Sequence, residues 1–398
     1  MWKLRPPLEM PLATKYKSIL EQRMPKDPMS LIKLKRLSPE EEFPDLNGNY
    51  TCMARILTLQ MYKRQCGRAS ESGFTFDDVI RPGLEDPGGP CSQAVGCVAG
   101  DAHSYIIFCD FFDRIIELYH HGYKMTKAHK SDFNYDNLKG GDDFDSQYVL
   151  SCEVRVGRNV EEFSFPPHCS RGERRQLESL AKQAFTQLSQ ELPGTYYSLK
   201  DLSEDRQELL DAGVSVDSPS LVMMKTGVAR DWPDARGVWI SQDTKLIVWI
   251  NNEDHLQIVC TQKGCDIREA FALVCINLGR LEKLYEKMKH PFIWKDHLGY
   301  VLSSPAEVGT GLRACCDVKL SHIHKHAEFE TIMERLRLRK SVIGAMGSSV
   351  YKIFNADTIG FTEVELLQLL VDGVKLLINM DKNLKQGSTI DHLMPAPK

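Results

Sequence analysis

The sequence has little that would indicate a disulfide-stabilised, nucleic-acid-binding or membrane protein. Its 12 cysteines are spread over 398 residues and form no C-x-x-C motif, which excludes a disulfide scaffold and favours reduced thiols. The net charge is only −4, so no basic excess suggests a nucleic-acid partner. No apolar run approaches the roughly 18 residues that a membrane-spanning helix needs. The balance of 42% hydrophobic and 26% charged residues is that of an ordinary soluble globular protein.

The N-terminal segment also lacks a clear targeting signal. Residues 1–10 contain no continuous apolar core, so no secretory signal is predicted. Several prolines and Glu9 disfavour the acid-poor amphipathic helix of a mitochondrial transit peptide, which remains the alternative. We therefore predict an irregular arm over residues 1–32 and a cytoplasmic protein. The basic, proline-rich part of this arm, residues 1–28, is the predicted contact for a protein partner.

The first third of the chain after the arm has a helical pattern. Apolar residues such as Met53, Leu57 and Met61 recur at helical spacing, and a turn-rich segment is predicted over residues 81–90. This pattern predicts a small α-helical domain over residues 33–122. A polar linker is predicted over residues 123–147.

From residue 148 onward, the pattern mixes strands with long amphipathic helices. Strands are predicted in YVLSCEVRV, VWISQ, KLIVWI and ACCDVKLSH, because β-branched and aromatic residues are concentrated there. Helices are predicted in DIREAFALVCINLGRLEKLYEKMK, EFETIMERLRLRK and EVELLQLLVDGVKLLINMDKNLK. Strands and helices do not alternate strictly. The predicted class is therefore α+β, with an antiparallel sheet flanked by helices over residues 148–398.

Two strand-to-loop segments are candidates for chemistry. In SCEVRVGR, Arg155 and Arg158 could face a phosphate, and Glu153 must face the same way as Arg155 because side chains alternate along a strand. The alternative is a cross-strand salt bridge on the surface. In NNEDHL, residues 251–256, polar groups follow a buried strand, where a base or metal ligand is common. The alternative there is a turn with an Asp–His hydrogen bond.

Three further segments carry candidate groups. The loop GTGLR, residues 309–313, could bring backbone N–H groups and Arg313 to a phosphate, although SSPA in front of it offers no strong nucleophile. In SHIHKH, three histidines two residues apart would share one face of a strand and form a conceivable zinc site, with partly exposed histidines as the alternative. In PPHCSRGERR, Ser170 is a predicted helix cap with Glu173.

Long runs in consistent order carry a family resemblance. They are EEEFPDL, SGFTFDDVI, VGCVAGD, NLKGGDD, YVLSCEVRVGR, FPPHCSRGERR, ARDWPDARGVW, VWINNEDHL, HPFIWKDHLGYVL, GTGLRA, RLRLRK, NAD, VDGVKLLI and IDHLMPAPK. The chain resembles the phosphagen (ATP:guanidino) kinases, and creatine kinases in particular, from about residue 33 to residue 398.

The resemblance implies a fold, an activity and a site. It implies a small helical domain, a larger domain built on an antiparallel sheet, and a homodimer contact around Trp232. Members transfer the γ-phosphoryl group of Mg-ATP reversibly to a guanidine nitrogen, mainly by positioning and charge neutralisation. Glu253 matches the carboxylate that orients the guanidinium, and Ser304 lies at the position of the family cysteine. The positions implied for ATP binding are Ser151, Cys152, Glu153, Val154, Arg155, Gln257, Arg313, Ser341, Val342, Ile343, Gly344 and Ala345.

The chain departs from the family pattern at its reaction centre. Arg155 and Arg313 match clamp arginines, whereas other family arginines are replaced by Glu153, Gln257, Ser341 and Thr358. A family glutamate becomes Asn252, a family aspartate becomes Lys352, and the Ser-Asn pair after the loop proline becomes Ala306 and Glu307. One arginine in a phosphoryl-transfer site can contribute about 10³–10⁵ in rate.

These replacements lead to two functional hypotheses. The first is a catalytically impaired family member that acts as a binding or structural subunit without a cofactor or metal. The second is an active creatine or guanidino kinase that uses Mg-ATP and Mg-ADP. A metal enzyme that uses the histidines of HIHKH is a third, minor reading.

Overall fold

The computed structural model describes residues 37–90, 94–201, 209, 214, 218–344 and 348–396. The predicted arm and its partner contact lie outside these residues. Within them the fold is α+β, as predicted, with a helical region followed by an eight-stranded antiparallel sheet and its helices. None of the described helices combines the length and the apolar character needed to cross a bilayer.

The N-terminal region is built from short helices around an aromatic core. The helices are α1 (Pro39–Glu42), α2 (Cys52–Ile56), α3 (Leu59–Gln65), α4 (Phe76–Glu85), α5 (Ser104–Ile107) and α6 (Cys109–Tyr119). Phe76, Phe108, Phe111 and Phe112 are fully buried in this core. Cys97 is 3% exposed, and burial raises its pKa well above the ordinary value.

The predicted turn over residues 81–90 is wrong for its first half. Residues 81–85 form the end of α4, which begins at a capping box in which Thr75 and Asp78 each accept the other's backbone N–H. Buried Phe76, Val79 and Ile80 anchor the helix. It therefore continues past Pro82 until Asp86 caps it.

The larger region is organised on one antiparallel sheet. Its strands are β1 (Val149–Arg158), β2 (Gly194–Ser198), β3 (Gly237–Ser241), β4 (Leu246–Ile250), β5 (Leu256–Lys263), β8 (Leu312–Lys319), β9 (Leu338–Val342) and β10 (Val350–Asn355), and a separate ribbon contains β6 (Trp294–Lys295) and β7 (Gly299–Tyr300). The order in the sheet is β2-β3-β4-β5-β1-β8-β10-β9, so β1 and β8 lie at the centre and β9 lies at an edge.

Long helices cover one face of this sheet. The helices of the region are α7 (Arg171–Leu188), α8 (Leu221–Lys225), α9 (Ile267–Lys287), α10 (Phe329–Leu336) and α11 (Glu363–Lys385), with 3-10 turns at Tyr135–Asn137, Ile323–Lys325 and Asp391–Leu393. The predicted cap is confirmed, since Ser170 Oγ accepts the N–H of Glu173 at 3.2 Å. The apolar sides of α9 and α11 share a core with β1, β5 and β8. On the opposite face a smaller apolar cluster with Leu199 covers β3 and β4, and the candidate site lies over the central strands of that face.

The predicted helix in EFETIMERLRLRK is too long. Helix α10 ends at Leu336, because Arg337 adopts a left-handed conformation with φ 57° and ends the helical hydrogen bonding. Residues 338–342 then form β9 and pair with β10. The histidines of SHIHKH are also not on a strand, since β8 ends at Lys319 and Ile323–Lys325 form a 3-10 turn.

Candidate functional site

Two arginines are direct neighbours on the face of the sheet opposite helices α9 and α11. The backbones of Arg155 on β1 and Arg313 on β8 are register partners. Glu153, two residues before Arg155, faces the same side, as the alternation predicts. The side chains of Cys152 and Val154, 1% and 0% exposed, lie in the opposite core, so only their backbones border the site.

The phosphate interpretation of Arg158 is wrong. It lies three residues from Arg155 and therefore faces the core, where it is fully buried. Its guanidinium carbon lies 3.3 Å from the centre of the Tyr300 ring. Its Nη1 donates to the carbonyl oxygens of Gly157 at 2.7 Å and Thr310 at 2.9 Å. Arg158 therefore belongs to the structural core.

Arg313 is held entirely by groups of its own chain. Its Nε donates to both carboxylate oxygens of Glu307, at 3.0 and 3.1 Å. Its Nη1 donates to the carbonyl oxygens of Asn355 (2.7 Å) and Ala356 (3.1 Å), and its Nη2 donates to the carbonyl oxygen of Ala306 at 2.7 Å. Burial lowers the pKa of Arg313, but Glu307 and other nearby groups raise it more, so the side chain stays charged. The arginine that the resemblance implies for ATP binding is thus paired with an internal anion.

Arg155 has no such partner among the described residues. No hydrogen bond or ion pair within the described ranges engages its guanidinium, which is partly buried. Burial lowers its pKa, while the carboxylates of Glu307, Glu253 and Glu153 raise it to a net value above the ordinary one. Arg155 is therefore a cation that nearby carboxylates influence through long-range electrostatics, without a direct contact in the described part of the chain.

Glu153 forms an ion pair with Lys352. Lys352 lies on β10, with β8 between it and β1, and its Nζ is 3.4 Å from Glu153 Oε2. The salt bridge considered as the alternative for this strand therefore exists. At position 153 the family has an arginine, and at position 352 it has an aspartate. The charges of Glu153 and Lys352 are therefore both reversed, and the two side chains still form an ion pair.

The segment after β4 contains a pair of hydrogen-bonded amides and a buried, hydrogen-bonded aspartate. Asn252 Nδ2 donates to Gln257 Oε1 at 3.3 Å, so two positions that are charged in the family now form a neutral amide pair. The side chain of Glu253 is exposed. Burial raises the pKa of Asp254 to about 6, and its Oδ1 accepts from the Ser303 backbone N–H, the Ser303 hydroxyl and Asn159 Nδ2.

The Asp–His turn considered for this segment is not formed. His255 is buried, its Nδ1 accepts the N–H of Val160 at 3.0 Å, and its Nε2 donates to the Ser164 carbonyl at 2.8 Å. Burial lowers its pKa to about 4. The side chains of Asp254 and His255 therefore form hydrogen bonds with different parts of the chain and not with each other.

The GTGLR loop does not offer the N–H groups of Gly309 and Thr310 to a ligand as the sequence suggested. Gly309 N–H donates to Tyr300 (3.2 Å) and Thr310 N–H donates to Thr358 (2.8 Å), both through backbone carbonyls. Gly309 has φ 105°, and a Cβ there would lie 2.4 Å from the Thr358 oxygen, so only glycine fits. These N–H groups are therefore used inside the fold.

The front of this loop is held from two sides. Ser304 Oγ accepts the N–H of Ala306 at 3.3 Å, which stabilises a turn. Thr358 is fully buried, and its hydroxyl donates toward the carbonyl oxygens of Ala306 (3.0 Å) and Val308 (2.7 Å). At this position, where the family has an arginine, the side chain now supports the loop.

Part of the segment that the resemblance implies for ATP binding, residues 341–345, is strand. Ser341 and Val342 belong to β9, and Ile343 N–H donates to the Val350 carbonyl at 3.0 Å, which extends the hairpin. Gly344 follows with φ 91°, and Ala345 lies outside the described residues. The side chains of Ser341 and Val342 are exposed at the edge of the sheet.

The histidine cluster does not form a metal site in the described part of the chain. His322 Nδ1 lies 3.4 Å from Asp381, and His324 Nδ1 lies 2.6 Å from the Leu320 carbonyl oxygen. No group of three or more potential ligands among the described residues is arranged around a common point. The zinc interpretation is therefore not supported.

The sequence reasoning missed a group of residues at the end of α6. Tyr119, His120 and His121 contact Arg339, the Pro305 carbonyl and Asp357, respectively, beside the site. No local pattern indicates these contacts, because they join positions about two hundred residues apart.

Known proteins share this architecture and sequence. A family model described as the C-terminal catalytic domain of ATP:guanido phosphotransferases matches residues 176–384, and the corresponding N-terminal domain model matches residues 47–117. Creatine kinase M-type from Homo sapiens is 48% identical over 366 residues, which cover 90% of this chain and 96% of that protein. The testis isozyme of creatine kinase from Oncorhynchus mykiss is 48% identical over 378 residues, covering 94% and 99%. A crystal structure of lombricine kinase superposes with a TM-score of 0.82 at 35% identity and covers 91% of this chain and 100% of that one. The chain therefore belongs to the ATP:guanido phosphotransferase, or phosphagen kinase, family and is related to the creatine kinases.

Proposed function

We propose that this chain is a non-catalytic phosphagen kinase-like protein that serves as a binding or structural subunit. The observation that carries the proposal is the occupation of Arg313 by Glu307 and three backbone carbonyls. A nucleotide phosphate would have to displace a charge-assisted pair that is already formed.

The other replacements support the same conclusion. Glu153 stands beside Arg155 where the family has an arginine, and its carboxylate is paired with Lys352, so this position supplies no positive charge for a phosphate. Gln257 and Asn252 satisfy each other, and Thr358 is buried under the loop. A triphosphate would therefore meet Arg155 as the one clamp cation not already engaged among the described residues.

A second candidate function is an active creatine or guanidino kinase that uses Mg-ATP. It is favoured by the retention of Glu253, Arg155 and Arg313 around the same side of the sheet. In this reading Glu253 orients the guanidinium, and Ser304 takes the place of the family cysteine. Ser304 cannot form an anion at neutral pH as a cysteine can, which weakens this second candidate.

The test is a direct activity and binding measurement. Purified protein is mixed with Mg-ATP and either creatine or arginine, and ADP formation is followed. We expect no turnover above the buffer control and no thermal shift with millimolar Mg-ADP, since a ligand that binds only the native state raises its stability. Turnover within a hundredfold of the roughly 1–100 s⁻¹ typical of kinases would establish the second candidate instead.

The proposal includes the assembly and location expected from the sequence. We propose a cytoplasmic homodimer through the Trp232 region, where Arg171 and Arg174 pair with Asp231. Trp232 is partly buried beneath Arg236, at 5.1 Å from the ring centre. Sedimentation of Trp232→Ala should yield monomers, while Trp249→Ala serves as the control tryptophan variant.

We also propose that residues 1–28 contact a protein partner. Deletion of residues 1–28 should abolish a partner interaction without lowering the melting temperature.

The proposed division of the chain is an arm at 1–32, a helical domain at 33–122, a linker at 123–147 and a larger domain at 148–398. Limited proteolysis should cut first in the arm and next in the linker.

A further inference from the structure

The end of helix α6 contacts three separate parts of the larger domain. Tyr119, His120 and His121 are consecutive, and we call them the α6 clasp. We infer that the α6 clasp holds the helical domain closed over the loop at residues 303–308 without any ligand. The inference does not depend on whether the chain is catalytic.

The first contact of the α6 clasp joins Tyr119 to the edge strand β9. The guanidinium carbon of Arg339 lies 4.0 Å from the centre of the Tyr119 ring, which is a close cation–π geometry. The same guanidinium donates to the Tyr119 hydroxyl and, at 3.4 Å, to its backbone carbonyl. Arg339 therefore ties the last residue of α6 to the sheet.

The second contact is a buried carboxylate with two partners. Asp357 is 1% exposed and lies between His121 Nδ1, at 2.8 Å from Oδ1, and Arg337 Nε, at 2.6 Å from Oδ2. Burial alone raises the pKa of Asp357, but its hydrogen bonds with His121 and Arg337 lower it to about 2. The carboxylate is therefore ionised and connects the helical domain to the segment after β10.

The third contact reaches the site loop itself. His120 is fully buried, and burial lowers its pKa to about 3, so the ring is neutral. Its Nε2 lies 3.0 Å from the Pro305 carbonyl oxygen. A carbonyl oxygen only accepts, so Nε2 carries the proton and donates to the loop.

The apolar core continues across the same boundary. Val301, Ala306 and Val308 pack in the core of the helical domain together with Phe108 and Phe112. The loop that places Glu307 on Arg313 is thus both packed against the helical domain and hydrogen-bonded to it. Opening this side of the site requires the α6 clasp and this packing to separate together.

The test uses two substitutions that remove the polar contacts while keeping the local backbone. His121 has φ 51°, and asparagine tolerates this conformation but is too short to reach Asp357, so His121→Asn is chosen. Arg339→Met keeps an apolar stem and removes the guanidinium. The matched control is Arg280→Met, which removes a partly exposed arginine of α9 that pairs with Glu191 at 3.3 Å, away from both the α6 clasp and the Trp232 region.

The readouts are amide hydrogen exchange and the radius of gyration in solution. In the double variant we expect the Glu307 amide, which donates to the Ser304 carbonyl, to exchange at least about tenfold faster, with Val154 and Ala314 in the central strands unchanged. We also expect a larger radius of gyration than in the wild type and in the control.

Unchanged exchange at Glu307, or equal acceleration in the loop and the central strands, would overturn the inference. If the double variant does not fold, Arg339→Met alone is judged by the same comparison. Neither readout involves nucleotide or turnover, so the result stands apart from the outcome of the activity assay.

Discussion

Glu307 holds the Nε–H of Arg313 between its two carboxylate oxygens, at 3.0 and 3.1 Å. The two residues lie six positions apart in sequence, and we propose that their pair blocks the contact of Arg313 with an anionic ligand. Its effect on ligand binding can be tested by removing only the charge of Glu307.

Glu307→Gln should expose a latent anion site. We expect Mg-ADP or pyrophosphate to raise the melting temperature of this variant but not of the wild type. The ligand-free variant should be less stable by about 3 kcal/mol, because Arg313 is buried and loses its charged partner. Thermal shift measures both effects. Glu269→Gln, which breaks an exposed pair with Lys245, is the control. Absence of any ligand response in Glu307→Gln would show that Glu307 is not what blocks the site.

Glu153→Arg should strengthen binding of Mg-ADP by replacing a repulsive charge beside Arg155 with an attractive one. Combined with Lys352→Asp, it reverses the observed ion pair, so the double variant should recover the stability that each single variant loses. The pair is about one third exposed on each side, so the coupling should be below about 1 kcal/mol. A double-mutant cycle in urea measures the coupling. If Glu153→Arg leaves Mg-ADP affinity unchanged, Glu153 does not face the ligand.

Thr358→Val should destabilise the protein by about 1–3 kcal/mol, because the Val308 carbonyl oxygen loses its hydroxyl donor, whereas the Ala306 carbonyl oxygen keeps the Nη2 of Arg313. The control is Thr186→Val on α7, whose exposed hydroxyl donates to Lys182 at 2.8 Å. That change should cost less than about 0.5 kcal/mol. Equal effects of the two substitutions in denaturant unfolding would contradict the supporting role of Thr358.

The stability contributed by Asp357 should be lost at low pH. Its folded pKa of about 2 lies below the ordinary value of 3.8, so its contribution is full above about pH 5 and disappears as the pH falls toward 2. The difference corresponds to about 2 kcal/mol. The stability gap between the wild type and Asp357→Asn should therefore narrow from pH 5 to pH 2.5 in urea unfolding. A gap that does not change with pH would mean that the carboxylate is not preferentially ionised in the folded state.

The sequence by itself determined the class of the fold and much of its local geometry. Alternation along β1 placed Glu153 and Arg155 on one face, and the Ser170–Glu173 capping pattern located the start of α7. The sequence-based prediction of helix α10 was too long, because a single backbone conformation ends this helix. Arg337 has a left-handed φ, which ends α10 and allows β9 to form. Sequence-based prediction also failed at Pro82, where buried apolar side chains outweighed a local turn signal.

Only the tertiary structure decided which partners the candidate residues meet. Periodicity specifies the side of an element to which a residue points, but a partner on a distant element depends on how the elements pack. Lys352 reaches Glu153 across 199 positions, and His121 reaches Asp357 across 236. Even Glu307, close to Arg313 in sequence, meets it only because Thr358 and His120 hold the intervening loop. The sequence identified which positions had changed charge, and the packing determined that Glu153, Gln257 and Glu307 each have an internal partner.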